Sequence, residues 1–157
     1  MPALISLTEL IEDDWVRVAD DQSIEGIDRP ILSSERLRQQ WRQLESADFD
    51  LGIECDVTDL VEDIRRYLPR LSLVVLHFPV FADGRAFSQA HLLRKRYAYQ
   101  GDIRAVGDVI PDQLCFMRRC GFNQFQLADG ELVALALASF RGISHSYQPN
   151  FKLCAVA

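Results

Sequence analysis

One stretch limits the fold more than any other. Leu71-Ser-Leu-Val-Val-Leu-His-Phe78 is nearly unbroken apolar sequence rich in Val and Leu. A strand with one wet face alternates apolar and polar residues, whereas a strand covered on both faces does not; this stretch therefore argues for a parallel sheet. Around it, strand and helix patterns alternate from about residue 50 to 140. Asp50–Val57 reads as a strand, and Leu60, Ile64 and Leu68 repeat every four residues on a helix capped by Asp56 or Thr58 and closed by Pro69, with Glu62 in reach of Arg66. Ser88 is placed to cap a helix that turns Leu92, Leu93 and Tyr97 inward. Ile103–Val106 and Asn123–Leu127 are further strands. Between them a helix begins at Pro111 and stops at Gly121, and an apolar helix over 131–140 closes the series.

Right-handed crossovers turn this alternation into an α/β fold with a mainly parallel sheet, either open and doubly wound or curled into a partial βα barrel. Upstream, Ser33 or Ser34 caps a helix through about Leu44. Residues 1–30 are acidic and irregular, with Trp15–Val18 alternating as a short strand, so a β hairpin or arm is expected there. At 157 residues the chain reads as a single domain, with its α/β core over 50–140 and a tail over 141–157.

The net charge of −6 argues against general nucleic-acid affinity. It is unevenly spread: residues 78–125 hold seven basic and four acidic side chains, +3, which leaves −9 for the remainder. Nothing at the start resembles a signal peptide, and the longest apolar run falls far short of the ~20 residues that span a bilayer, so no membrane role and a cytoplasmic location are expected. The four cysteines are scattered without a CxxC pair or zinc spacing, which suits reduced thiols and no metal. No Walker loop, GxGxxG or Ser-His-Asp order is present, and no haem, iron–sulfur, flavin or nicotinamide cofactor is implied.

Ligands of α/β folds lie at the carboxyl ends of the strands. Three loops should share that edge. The first carries Asp83, Gly84, Arg85 and Ser88, the second Gly107, Asp108 and Asp112, and the third Asp129. Arg85 suits a two-pronged grip on a carboxylate, phosphate or sulfur oxyanion, and Asp83 and Asp108 are the candidate catalytic bases or substrate anchors. Against this, Asp-Gly is common turn chemistry and acids near helix starts stabilise the dipole. Arg94, Lys95 and Arg96 form the candidate partner-docking face. Asp102 and Arg104 share a strand face as an expected ion pair. Cys120 and His77 read as core residues, a small apolar thiol and a satisfied histidine.

The blocks FADGRAFSQAHLLR, GDIRAVGDVIPDQ and RCGFNQF resemble a bacterial family catalogued as a domain of unknown function, number nine-three-four. Members are often labelled probable oxidoreductases of sulfite reduction, because they are commonly encoded beside the sulfite reductase haemoprotein and sulfate-assimilation enzymes. The resemblance implies an accessory of assimilatory sulfite or sulfate reduction, with the reductase haemoprotein as partner or a small oxyanion as ligand. It carries over no catalytic residue. Its matched positions include Asp83, Gly84, Arg85, Ser88, Arg94, Gly107, Asp108, Asp112, Gln113, Cys120 and Gly121. Two other readings stand beside it: a small enzyme acting on an anionic metabolite, and a structural homodimer built on the 131–140 helix.

Overall fold

A computed structural model describes residues 1–80 and 82–141. The described strands are β1 (Ala3–Ser6), β2 (Leu10–Ile11), β3 (Val16–Arg17), β4 (Pro30–Ser33), β5 (Leu51–Cys55), β6 (Leu71–Phe78), β7 (Asp102–Gly107) and β8 (Gln124–Leu127). They form one sheet in the order β2-β1-β8-β7-β6-β5-β4-β3. Strands β3 to β8 run parallel in sequence order, and β1 and β2 add an antiparallel hairpin along β8.

That order separates the two architectures the sequence leaves open. A doubly wound sheet needs a point where the strand order reverses, and β3 to β8 never reverse. Right-handed crossovers then put every helix on the same face. The helices are α1 (Ser34–Leu44), α2 (Val61–Ile64), α3 (Arg85–Lys95), α4 (Leu114–Cys120) and α5 (Val133–Arg141). Their apolar residues join Leu51, Ile53, Val74, Leu76, Ile103, Ala105 and Phe125 in one core. The opposite face holds a smaller cluster of Ile31, Leu73, Val75 and Val106, packed against Trp15.

The sheet is also curled. Seven inter-strand gaps of about 4.8 Å would hold β2 and β3 about 34 Å apart on a flat sheet. Only residues 12–15 join them, and five Cα steps reach at most about 18 Å. The edges must therefore approach each other across the helix-free face, as in a partial barrel. The connecting strap runs through that concavity. Asp13 meets Arg104 of β7 at 3.0 Å through both carboxylate oxygens, and the Trp15 ring lies over Gly52 of β5, where an added Cβ would come within 3.0 Å of the ring and press on it. Arg17 on the β3 edge reaches Gln126 of β8 at 3.4 Å, across the strands between them.

Several local expectations are corrected. The N-terminal hairpin is β1–β2, closed by the Ser6 N–H donating to the Glu9 carbonyl; the Trp15–Val18 strand instead pairs in parallel with β4. The helix after β5 begins only at Val61, because Asp59 turns back to accept from the Asp56 N–H and the Ser34 hydroxyl rather than continuing a helix. Glu62 reaches Arg96 at 3.4 Å, while Arg66 stacks on Tyr67. Ser88 does not cap α3: the helix starts at Arg85 and Ser88 is an exposed residue within it. Asp102 is not the partner of Arg104; it accepts from the side chains of Asn123 and Gln124. Ser33 does cap α1, accepting from the Arg36 N–H at 3.1 Å. The 142–157 part of the tail lies outside the described residues.

Candidate functional site

Two adjoining clefts open at the carboxyl rim of the curled sheet. The larger, about 730 Å³, is bordered by Asp20, Ser33, Asp56 and Asp59; the smaller, about 380 Å³, by Gly107 and Gln126. Both are lined by Arg17, Glu54 and His77. Each of these three comes from a different strand, and each points to the concave face because residues two apart on a strand share a face. His77 follows Leu73 and Val75 on that face. It lies at the strand's open end and is exposed, which corrects the expectation of a core histidine.

Glu54 fixes Arg17 from one side: the Arg17 Nε donates to Glu54 Oε2 at 3.0 Å. This leaves the Nη edge of the guanidinium toward Gln126, whose Oε1 accepts weakly at 3.4 Å. An arginine held by its Nε presents a forked donor face to a planar or tetrahedral oxyanion. His77 adds an exposed imidazole able to donate a hydrogen bond. Among the described residues, no group of three or more His, Cys, Asp and Glu stands where it could hold a metal ion.

The loops singled out from the sequence lie on this same rim. Phe78 and Gly107 are register partners at the ends of β6 and β7, so the segments that follow them leave side by side. The Asp108 N–H donates to the Phe78 carbonyl at 2.8 Å. Gly107 has φ +93, and any Cβ there would overlap the Phe78 carbonyl oxygen, so this crossing requires glycine. Gly107 borders the smaller cleft. Asp108 and Asp112 are exposed, with Asp112 in the 3-10 turn Pro111–Gln113 that leads into α4.

Asp83 and Arg85 bind each other. Nε and Nη2 of Arg85 donate to Oδ1 and Oδ2 of Asp83 at 3.0 and 2.6 Å, and the Arg85 N–H closes the turn onto Oδ1. The Arg85 side chain holds the Asp83 carboxyl down at about 2. A carboxylate that acidic is a weak proton acceptor near neutrality, and the fork expected to clamp a ligand already holds its own aspartate. Gly84 precedes α3 without a side-chain cap. Asp129 accepts from the Glu131 N–H and lies 3.9 Å from the Met1 amino group.

The basic face of α3 is divided. Arg94, expected at a docking surface, is buried: it donates to the carbonyls of Gly121, Tyr99 and Gly101 at 3.0, 2.7 and 2.8 Å, and burial lowers its pKa. It clamps the end of α3 to the turns that lead into β7 and β8. Lys95 and Arg96 remain exposed. Cys120 is buried at the end of α4, and burial raises its thiol pKa. Cys55, 2 % exposed, is shifted upward for the same reason. Neither environment favours a thiolate.

Arg17, Glu54 and Gln126 went unread in the sequence. Each occupies an inward position on a short strand, and alternation marks that much, but only curling brings β3 opposite β8.

A model of the family described as bacterial protein of unknown function (DUF934) matches residues 52–154, well over half of the chain. The chain belongs to that family. No curated protein matches the sequence. The DUF934 match covers β5 through α5, hence Glu54, His77 and Gln126, whereas Arg17 and the strap precede it.

Proposed function

We propose that this DUF934 protein is an accessory of assimilatory sulfite or sulfate reduction that holds a small oxyanion in the rim cleft between Arg17 and His77. The observation that carries this reading is the Arg17 guanidinium, fixed by Glu54 through Nε with its Nη edge at the junction of two clefts beside an exposed histidine. Such a donor set suits a tetrahedral or pyramidal oxyanion, and the smaller cleft is of a size for a small ligand rather than a polymer. The neighbourhood label of the family supports sulfite as the anion and the reductase haemoprotein as the partner. The Gly107 turn borders the smaller cleft of the same site, and Lys95 and Arg96 offer a basic contact on α3 for an acidic partner surface.

Calorimetric titration with sulfite tests the ligand. Saturable binding is expected, weakened at least tenfold in Arg17→Ala, in line with about 1.5–3 kcal/mol for a hydrogen bond to a charged group. His77→Ala should weaken it as well. Binding that survives both substitutions would reject the site. Co-purification with sulfite reductase tests the pathway: no association, together with unaltered sulfite reduction in a deletion strain, would reject the accessory role.

A further inference from the structure

The opposite end of the sheet carries a second basin. It occupies about 590 Å³ at the amino-terminal ends of β6 and β7, between the segment after α2 and the α3–β7 loop. Its charged lining is Arg65 and Arg66, with no acid among its residues. In a chain of net charge −6 that is a notable exclusion. The large rim cleft has four acids in its lining against one arginine, and the cleft by Arg29 and Arg70 has three aspartates.

Six arginines elsewhere are neutralised. Arg17, Arg29, Arg38, Arg85, Arg96 and Arg104 each pair with a carboxylate. Arg65 and Arg66 form no ion pair among the described residues; Arg66 instead donates to the Tyr67 hydroxyl and stacks on that ring. The basin also includes Tyr97, whose hydroxyl is buried and has no hydrogen-bond partner among the described residues. A buried hydroxyl without a partner costs free energy unless something completes it.

The wall opposite the arginines is rigidly set. Tyr99 donates its hydroxyl to the Leu71 carbonyl at 3.1 Å, and Ala98 is held at φ +49, an uncommon conformation for a residue with a Cβ. Gln100 braces it by donating to the Ala98 carbonyl at 2.9 Å. One basin thus brings together an uncommon backbone conformation, two arginines without an ion pair among the described residues, and an unmet hydroxyl.

We propose that this basin binds a small phosphate-bearing molecule, with Arg65 and Arg66 on the phosphate and the Tyr97 hydroxyl completing its hydrogen bonds. Two forked guanidinium groups match the several oxygens of a tetrahedral dianion, and the room beyond them admits an organic group attached to it. The site lies at the far end of the sheet from the Arg17 cleft and does not depend on it.

The test is calorimetry at low salt with inorganic phosphate, pyrophosphate and adenosine 5′-monophosphate as probes, on the full chain. At least one probe should bind saturably. Arg65→Ala should weaken it tenfold or more, and Arg17→Ala should leave it unchanged. Tyr97→Phe should weaken binding several-fold while melting no lower than the parent chain, since the hydroxyl it removes has no hydrogen-bond partner among the described residues. Arg65 is exposed and outside the core, so its variant keeps the test valid even if Arg66→Ala disturbs Tyr67. Absence of saturable binding by all three probes would overturn the proposal. So would binding that is unaffected by Arg65→Ala, or lost in Arg17→Ala instead.

Discussion

Arg104 is 1 % exposed at the middle of the sheet's concave face, a cation in a place where most sheets put a hydrophobe. Its guanidinium is completed by Asp13 from the strap and by Gln124 from β8, and burial lowers its pKa while Asp13 raises it. Gln124 is in turn oriented by Asp102. Taking away the carboxylate leaves a buried charge with only a neutral partner. Asp13→Ala should therefore destabilise the fold by about 2 kcal/mol, less than for a fully enclosed pair because the Asp13 side chain is 34 % exposed. Urea unfolding measures this directly. Combining it with Arg104→Met should recover most of the loss, since an apolar side chain needs no counter-ion.

At the scale of elements, single residues fix where helices begin and end. The Ser33 hydroxyl accepts from the Arg36 N–H to start α1 and donates to Asp20 at 2.8 Å, so one side chain both caps a helix and ties down the β3–β4 connection. Ser33→Ala should cost about 1 kcal/mol by loss of the cap. A thermal melt would show it, and an unchanged melting temperature would mean that water replaces both bonds. Gly121, at φ +116, ends α4 in the left-handed conformation and lets the chain turn into β8. Helix α5 packs Phe140 onto Phe125 at 5.3 Å between ring centroids, and Leu135 stays 58 % exposed.

The whole molecule is organised by the four-residue strap. It joins the two outermost strands and so sets how far the sheet opens. Deleting Glu12 and Asp14 would shorten its reach by about 7 Å. Strand β3 should then detach, since its pairing rests on few bonds, among them Val16 N–H to the Arg29 carbonyl and Val18 N–H to the Ile31 carbonyl. Hydrogen exchange at Val16 and Val18 should lose protection while β6 and β7 keep theirs. Loss of β3 would also remove Arg17 from the rim, so sulfite binding should fall with it.

Read along the chain, the apolar run of β6, the helix periods and the turn residues foretell a parallel α/β sheet with polar loops on a common rim, because strand burial, capping and glycine conformation act over a few residues. Loops 83–85 and 107–112 were legible for that reason. What sequence alone left undecided was curvature. Arg17, Glu54, His77 and Gln126 look unrelated in a chain where 109 positions separate Arg17 from Gln126. They meet only because a short strap and a non-reversing strand order bend the sheet until its edges face each other. That is a property of chain length against sheet width, and no local pattern encodes it.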